Sequence, residues 1–361
     1  MPAAIPKFHR LAVTDVRRET ADAVSIAFGV PPELAADYAF AAGQYLNLRA
    51  VISGEEVRRS YSLCAAPGDG ELRIAVKRTD PGVFSAWANT EIARDDEIDV
   101  MTPTGRFGFD AAPRDGRVHV AFAAGSGITP ILSLARHALR SEPSSGVFLF
   151  YGNRTARDIL FLEEIEELKD IFLTRLSVFH ILSREEQDVP LLNGRLDAEK
   201  ARRLLSALVP AALIDRAYIC GPLGMGEEIE AALRGLGVPE QNIHVERFLA
   251  AGGAARAHPP LPRETGAAPA HMLTLIADGK RREVPMAAGE PVLDAALRAG
   301  IDLPYACRGG MCSTCRANIT DGAAAMEVNY SLERWELEQG YVLTCQARPT
   351  TPRITVDFDH M

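Results

Sequence analysis

The chain has 361 residues, of which 47% are hydrophobic and 24% charged, and its 39 basic and 48 acidic residues give a formal net charge of -9. This composition excludes a largely disordered chain, and the negative charge argues against a general binder of nucleic acid or of an anionic membrane. The length fits two or three domains of roughly 150 residues each.

The cysteines are the most informative part of the composition. There are six, which is too few for a disulfide framework in a chain of this length, yet four fall within the last 55 residues. The most apolar stretch, residues 118–135, is interrupted by glycines and Pro130, so it does not read as a membrane span. We therefore expect a cytoplasmic protein, not bound to a membrane, whose clustered thiols serve metal or redox chemistry.

Residues 1–113 are predicted to form an antiparallel β-barrel. Short segments rich in β-branched residues alternate with turn signals such as Pro31-Pro32 and the run at 67–70, and one helix-like segment interrupts them. Regularly spaced strands of this kind are typical of a small barrel. The predicted strands span residues 23–30, 45–52, 57–63 and 72–78, and the predicted helix spans 84–92.

The hydrophobic period changes after this region, and residues 114–250 are predicted to form an α/β domain. Near-continuous apolar runs alternate with amphipathic segments, as expected for a parallel sheet covered by helices. The predicted strands span 118–124, 147–151, 174–182, 217–220 and 243–248, and the helices span 130–140, 159–169, 198–208 and 225–235.

Residues 251–270 are rich in Ala, Gly and Pro and are predicted to be a linker. Residues 271–361 are predicted to form a third, mixed α+β domain. Its predicted elements are strands at 273–277 and 282–285 and a helix at 292–299, followed by a cysteine loop.

The cysteine loop predicts a metal centre. Cys307, Cys312 and Cys315 form C-x4-C-x2-C, and 29 residues separate Cys315 from Cys345. This is the plant-type spacing for a 2Fe–2S cluster, and the two glycines of the loop let backbone N–H groups face the sulfurs. A structural zinc site with four cysteine ligands and four ordinary buried cysteines remain as alternatives. The final ninety or so residues resemble plant-type ferredoxins, which implies a β-grasp fold.

The motif Arg59-Ser60-Tyr61-Ser62 ends a predicted strand and resembles the ferredoxin–NADP reductase superfamily. The resemblance implies that Arg59 pairs with the phosphate of a flavin, for which a guanidinium is well suited. It also implies that Tyr61 lies against the isoalloxazine ring and that Ser62 sits near flavin N5 as a catalytic residue.

Two further segments match the same superfamily. The backbone of Val76 and Lys77 is expected to border the flavin, and Gly82 and Ser85 open a helix that could bind its phosphate. Ser85 could instead be a simple helix cap. The resemblance implies FAD, although the residues alone leave FMN open.

A glycine-rich turn follows the first strand of the α/β domain. Gly125 and Gly127 permit a tight turn and close approach to a ligand, Thr129 can cap the next helix, and Pro130 suits its first position. The third glycine of the dinucleotide-binding fingerprint is absent, because Pro130 stands in its place. The turn instead resembles the G-x-G-x-T-P turn of the reductase superfamily, which lies under the nicotinamide and pyrophosphate.

Two strand ends of the same predicted sheet carry further candidates. The resemblance places Cys220 of the C-G-P motif, followed by Gly221, beside the nicotinamide C4, although a small buried thiol is the alternative. Glu246 and Phe248 end the last strand where family members bring an acidic and an aromatic residue near the flavin. We therefore predict Ser62, Cys220 and Glu246 as catalytic residues.

The coenzyme is expected to be NADPH, with NADH left open. NADP sites use arginine for the 2′-phosphate, and here Arg154 follows the second strand while Ser183 and Arg184 follow the third. The Ser-Arg pair resembles the 2′-phosphate site of ferredoxin–NADP reductases. Both arginines could equally be solvated surface residues.

Over nearly its whole length the chain resembles the reductase components of multicomponent oxygenases. The segments at 151–154, 193–197 and 244–248 look most like the reductase subunits of ring-1,2-phenylacetyl-CoA epoxidases. The resemblance implies electron flow from NADPH through FAD and the cluster to a di-iron oxygenase component. A reductase for another hydroxylase, including a Rieske-type oxygenase, or a non-catalytic redox sensor are the alternatives. The sequence leaves the oligomeric state and any role of Cys64 open.

Overall fold

The structure is a computed structural model that describes residues 5–108, 114–248 and 270–360. Two compact units divide the chain, one within residues 10–57 and 61–253 and the other within 1–9, 58–60 and 254–361. Across the described ranges, no helix has the length and apolar character needed to span a membrane. Apart from Ala270, the predicted linker at 251–270 lies outside the described residues.

The first half of the larger unit is a curved six-stranded sheet with antiparallel pairing. The sheet order is β4-β3-β6-β1-β2-β5, and a bridge between Leu63 and Ile74 links the two edge strands near their ends, so the sheet curls into a half-barrel. Its elements are β1 Phe8–Thr20, β2 Ala23–Gly29, β3 Tyr45–Ile52, β4 Glu55–Ser62, β5 Leu72–Lys77, α1 Val83–Thr90 and β6 Glu97–Met101.

The second half of the larger unit is a five-stranded parallel sheet in the order β11-β10-β7-β8-β9. The strands are β7 Val118–Ala124, β8 Gly146–Asn153, β9 Leu176–Leu182, β10 Arg216–Pro222 and β11 Ile243–Phe248. The helices are α2 Ile128–Ser141, α3 Leu162–Ile171, α4 Ala198–Leu208 and α5 Leu223–Gly235. Separate apolar clusters cover the two faces, α2 and α3 on one and α4 and α5 on the other, so the central strands β7 and β10 are largely buried.

The two sheets of the larger unit share one apolar core. Cys64 and Phe107 from the first half pack in the same buried cluster as Ile131 from α2. The buried hydroxyl of Ser133 donates a hydrogen bond of 2.7 Å to the carbonyl of Ala65. This packing holds the end of β4 in a fixed position relative to the parallel sheet.

The smaller unit is a β-grasp fold. Its mixed sheet runs β13-β12-β18-β14-β16, with β12 parallel to β18, and β15 pairs separately with β17. The apolar face of α6 lies in the same core cluster as the sheet. The elements are β12 His271–Ala277, β13 Lys280–Met286, α6 Val292–Arg298, β14 Arg316–Asp321, β15 Ala324–Met326, α7 Arg334–Glu338, β16 Tyr341–Leu343, β17 Ala347–Pro349 and β18 Arg353–Asp357.

The predicted fold classes are confirmed, with two corrections to helix starts. Helix α2 begins at Ile128, because the turn at Gly125–Gly127 is a 3-10 turn that runs directly into it. Pro130 is therefore its third residue, not its first. Helix α3 begins at Leu162, not at 159, because a capped 3-10 turn at Ala156–Asp158 precedes it.

Candidate functional site

The carboxyl ends of the parallel strands form one edge of the sheet, and the strand order reverses at β7. Strand β8 lies on one side of β7 and strand β10 on the other, so a crevice opens beyond the ends of these strands. Ligands of open α/β sheets bind at such a switch point. The glycine turn after β7 and the Cys220-Gly221 segment of β10 both lie at this edge.

The three residues predicted as catalytic meet at this edge. Ser62 ends β4, and its hydroxyl donates a hydrogen bond of 2.9 Å to Oε2 of Glu246. The Sγ atom of Cys220 lies 3.8 Å from the same oxygen. This closeness follows from strand register, because Cys220 and Glu246 stand opposite each other in the β10–β11 pair. Residues 62, 220 and 246 therefore form one small polar cluster.

Burial controls the protonation of this cluster. Ser62 and Cys220 are buried, and burial of the carboxyl raises the pKa of Glu246 to about 7 even though hydrogen bonds with Ser62 and Cys220 act against the shift. Burial and the neighbouring Glu246 also raise the pKa of the Cys220 thiol. At neutral pH the thiol is uncharged, and Glu246 can hold or release a proton.

The glycine turn approaches this cluster closely. A Cβ atom at Gly127 would lie 2.1 Å from the Cys220 carbonyl oxygen, so only glycine fits there. Gly125 adopts a φ of +53°, and its carbonyl accepts a hydrogen bond of 3.0 Å from the Tyr151 hydroxyl. The predicted cap is corrected: Gly127 is the N-cap of α2, and the buried Thr129 hydroxyl bonds the Ser126 carbonyl at 3.0 Å.

The neighbouring strand ends carry small or apolar residues. A Cβ at Gly221 would lie 2.6 Å from the terminal methyl of Met225, so a larger residue there would require the Met225 side chain to move. Phe248, the last residue of β11, packs on the core shared by the two sheets.

The predicted flavin residues line the edges of the half-barrel. Tyr61 packs against Phe84 with ring centroids 5.6 Å apart, next to the end of β4. Strand β5 is the opposite edge of the sheet and ends with Val76 and Lys77. The Val76 carbonyl accepts a hydrogen bond of 3.0 Å from the Asn89 amide, and its side chain is buried in the core. Only backbone atoms of Val76 are therefore suited to contact a ligand.

Ser85, predicted for the flavin phosphate, lies in a hydrogen-bonded loop at the start of α1. The Ser85 hydroxyl accepts a hydrogen bond of 3.1 Å from the Thr79 N–H and lies 3.3 Å from the Gly82 carbonyl. A Cβ at Gly82 would clash with both Thr79 and Ser85. These bonds tie Ser85 to the loop, but Ser85 is not the helix cap, because Gly82 is the N-cap of α1 and no side chain caps the helix.

Arg59 is exposed, and its guanidinium donates a hydrogen bond of 2.7 Å to the carbonyl of Arg58. An exposed guanidinium on a strand is accessible to a phosphate without loss of a buried ion pair.

The arginines predicted for the coenzyme differ in their surroundings. Arg154 forms ion pairs with Asp22, at 3.2 Å, and with Asp158. Arg184 is exposed next to Ser183, and its backbone N–H bonds the Arg154 carbonyl at 2.8 Å. Two carboxylates therefore already neutralise Arg154, whereas the side chain of Arg184 is exposed.

The three cysteines of the loop and Cys345 lie in two contacting pairs. Cys307 hydrogen bonds with Cys312, and Cys315 hydrogen bonds with Cys345. The bond with Cys307 lowers the pKa of Cys312 to about 5, with Thr314 acting in the same direction. The bond with Cys315 lowers the pKa of Cys345. Metal binding requires the thiolate form, which these hydrogen bonds favour at Cys312 and Cys345.

The loop backbone fits a cluster that carries negative charge. The N–H of Gly309 donates to Sγ of Cys307 at 3.3 Å, and the N–H of Gly310 donates to Cys345. Gly310 and Arg308 have positive φ angles of 74° and 53°, which curl the loop around the sulfurs. No three or more His, Cys, Asp or Glu side chains in the described ranges are placed to hold a single metal ion. The two pairs of thiols suit a 2Fe–2S cluster, in which each of the two irons binds two of the four cysteines.

Two residues near these sites were not predicted from sequence. Gln346 is buried beside Cys345, and Tyr151 is buried beneath the glycine turn. The sequence could have indicated a role for Gln346, because this polar residue directly follows Cys345, a predicted cluster ligand. Cys64 has an ordinary structural role: it is buried in the core, and burial raises the pKa of its thiol.

Comparison with known proteins identifies the domains. An oxidoreductase FAD-binding domain model matches residues 10–109, and an oxidoreductase NAD-binding domain model matches residues 122–231. A 2Fe-2S iron-sulfur cluster binding domain model matches residues 275–350. The last range includes the three loop cysteines and Cys345, which identifies an iron–sulfur domain and not a zinc site.

Relatives match the chain over almost its full length. It is 45% identical over 354 residues to a 1,2-phenylacetyl-CoA epoxidase subunit of Escherichia coli (strain K12), covering 98% of each chain. It is 33% identical over 352 residues to the 3-ketosteroid-9-alpha-monooxygenase ferredoxin reductase component of Rhodococcus rhodochrous, covering 96% of each chain.

A solved structure has the same architecture. Phthalate dioxygenase reductase is 23% identical, with a TM-score of 0.58 over 97% of this chain and 98% of that one. At this identity the likeness shows a shared fold.

The raised pKa of Glu246 predicts a specific pH dependence of stability. The folded protein binds this proton more tightly than the unfolded chain, so stability is lost as pH rises from about 4.5 to about 7. Substitution Glu246→Gln removes this loss and keeps an acceptor for Ser62. The measurement is the free energy of unfolding, from urea titrations of both proteins at pH 5 and pH 8. We expect it to fall more in the native protein than in the variant over this range, by up to about 3 kcal/mol.

The control is Glu227→Gln, because Glu227 is exposed on the neighbouring helix α5. Its unfolding curve should follow that of the native protein at every pH. Parallel pH profiles for the native protein and Glu246→Gln would contradict the assignment of a buried carboxyl to Glu246.

Proposed function

This chain belongs to the family of oxidoreductases that join FAD-binding, NAD-binding and 2Fe-2S domains and that includes a subunit of 1,2-phenylacetyl-CoA epoxidase. From that premise we propose that the chain carries electrons from NADPH to an oxygenase component. Its oxygenase partner in this proposal is the di-iron component of a phenylacetyl-CoA epoxidase. The observation that carries the proposal is the meeting of Ser62, Cys220 and Glu246 at the edge of the nucleotide sheet. We assign the activity to the cytoplasm, where thiols stay reduced.

The proposed cofactors divide among the three domains. Residues 1–113 hold FAD, residues 114–250 hold the nicotinamide coenzyme, and residues 271–361 hold the cluster through Cys307, Cys312, Cys315 and Cys345. When bound, the flavin would accept a hydride from the nicotinamide and would pass electrons one at a time to the 2Fe–2S cluster. The protein contributes position, charge and exclusion of water.

Ser62 and Glu246 act together in this proposal. The Glu246 carboxylate accepts the Ser62 hydroxyl hydrogen at 2.9 Å, which fixes the orientation of the hydroxyl. With a pKa of about 7, the carboxyl of Glu246 can hold or release a proton near neutral pH, directly beside the Ser62 hydroxyl. Ser62 is the end of the strand that carries Tyr61, so the same strand presents a ring face and a hydroxyl to the flavin.

Cys220 positions the coenzyme through its size and neutrality. Its side chain has no exposed surface, and its raised pKa keeps the thiol protonated. A small neutral group at this strand end leaves room for a flat ring and adds no charge near it. The glycine at 127 lets the turn and the end of β10 approach each other closely, which narrows the space open to water.

The proposed coenzyme preference rests on the exposed pair Ser183 and Arg184. A guanidinium binds a phosphate through paired, charge-assisted hydrogen bonds, and the 2′-phosphate is what distinguishes NADPH from NADH. Arg154 contributes less in this proposal because Asp22 and Asp158 already neutralise it.

A reductase for a different oxygenase is the second candidate. The 33% identity to a reductase component of 3-ketosteroid-9-alpha-monooxygenase supports it. The higher identity of 45% to the phenylacetyl-CoA epoxidase protein favours the first assignment. The redox-sensor alternative lacks a comparable observation.

The electron path predicts separable effects. Cys307→Ser removes one cluster ligand, so NADPH should still bleach the flavin band while reduction of cytochrome c falls to background. With the epoxidase oxygenase component and phenylacetyl-CoA present, the native protein should oxidise NADPH in a substrate-dependent way and Cys307→Ser should not.

The control is Cys64→Ser, which alters a thiol outside the predicted sites and should keep both activities. Loss of flavin reduction in Cys307→Ser would contradict the linear path. Failure of the native protein to respond to phenylacetyl-CoA, while it still reduces cytochrome c, would favour a different oxygenase partner.

The coenzyme proposal predicts a selective loss. Arg184→Ala should raise the KM for NADPH about tenfold and leave the KM for NADH unchanged, because only NADPH loses a charge-assisted contact. The control Arg202→Ala, at an exposed position on α4, should change neither value. Equal effects of Arg184→Ala on the two coenzymes would contradict a 2′-phosphate role.

A further inference from the structure

Gln346 follows the fourth cysteine ligand directly and is almost fully buried. It lies in the turn between β16 and β17, and its relative solvent exposure is 2%. The backbone N–H of Gln346 bonds the Leu343 carbonyl at 2.8 Å, which fixes the turn. A buried amide must find hydrogen-bond partners, since an unsatisfied one costs stability.

The partners of this amide determine its orientation. Its Nε2 atom lies 2.9 Å from the carbonyl oxygen of Arg308 and 3.6 Å from Sγ of Cys345. A carbonyl oxygen only accepts hydrogen bonds, so the nitrogen and not the oxygen of the Gln346 amide must face it. The amide nitrogen carries two hydrogens. One is used by Arg308, and the other is available for the cysteine sulfur.

The same contacts connect separate parts of the ligand set. Arg308 lies in the loop between the first two cysteines, in the left-handed region at a φ of +53°, which is uncommon for a residue with a side chain. The Gln346 amide holds the carbonyl of this residue. Gln346 therefore joins the curled loop to the turn that carries Cys345.

Hydrogen bonds to cysteine sulfur affect the energy of cluster reduction. Reduction adds one negative charge to the cluster, and an N–H dipole aimed at a ligand sulfur stabilises the more negative state. In a buried site this effect is stronger than in water. Gly309 and Gly310 provide such donors from the backbone, which substitution cannot remove. Gln346 provides one from a side chain.

We propose that Gln346 raises the reduction potential of the 2Fe–2S cluster by donating an amide N–H to the sulfur of Cys345, so that the cluster accepts electrons from the flavin. This inference rests on the proposed function, since it requires the cluster. It assigns Gln346 a positioning role: the residue acts through a ligand and does not itself bind iron.

The test compares Gln346→Met with the native protein, because methionine has a similar length and no N–H. The expected result is an iron content equal to that of the native protein and a lower midpoint potential in a redox titration followed by electron paramagnetic resonance. The equilibrium constant for cluster reduction should fall about tenfold, which corresponds to about 59 mV for a one-electron couple. Gln339→Met, at an exposed position of the same unit, should leave the potential unchanged.

A second measurement uses the native protein and does not depend on folding of the variant. Protein labelled with ¹⁵N in the glutamine side-chain amide should show a hyperfine coupling of that nitrogen to the reduced cluster. Absence of the coupling, or an unchanged potential in fully loaded Gln346→Met, would overturn the inference. Absence of any 2Fe–2S signal in the native protein would instead overturn the proposed function.

Discussion

The hydrogen bond between Ser62 and Glu246 is the interaction on which the arrangement of the site depends. It joins the last residue of an antiparallel strand to the end of a parallel strand 184 residues later in the chain. The bond is possible because both sheets bury apolar residues in one shared core. It brings the motif predicted for the flavin to the sheet edge predicted for the nicotinamide, where a hydride has only a short distance to travel.

The sequence predicts the parallel sheet far better than the rest of the fold. All five of its strands were predicted, and strand β7, a near-continuous apolar run, has the predicted bounds. Strand β1 was missed because exposed polar residues alternate irregularly along it and bulges shift its register. Strand β16 was missed because it is three residues long and depends on pairing with β14, a contact that local sequence does not encode.

The site residues could be predicted where the spacing of a motif alone indicates the ligand. They were predicted less well where the neighbours of a side chain in the fold determine whether it can bind that ligand. The spacing of the cysteines was enough to predict a cluster, and the paired thiols fit that prediction. Arg154 and Ser85 have suitable chemistry for phosphate, yet their neighbours engage them in ion pairs and loop hydrogen bonds. Gln346 reaches the carbonyl of Arg308, 38 residues earlier in the chain, so only the folded chain reveals its role.

The Ser62–Glu246 contact is, in our central claim, the place of hydride transfer. The direct measurement is the anaerobic rate of flavin reduction by NADPH in Ser62→Ala, followed by stopped-flow absorbance. We predict a rate at least about tenfold lower than in the native protein, with unchanged flavin content, because the oriented hydroxyl is lost. Ser206→Ala, at an exposed position on α4, should keep the native rate. A native rate in Ser62→Ala would contradict the claim.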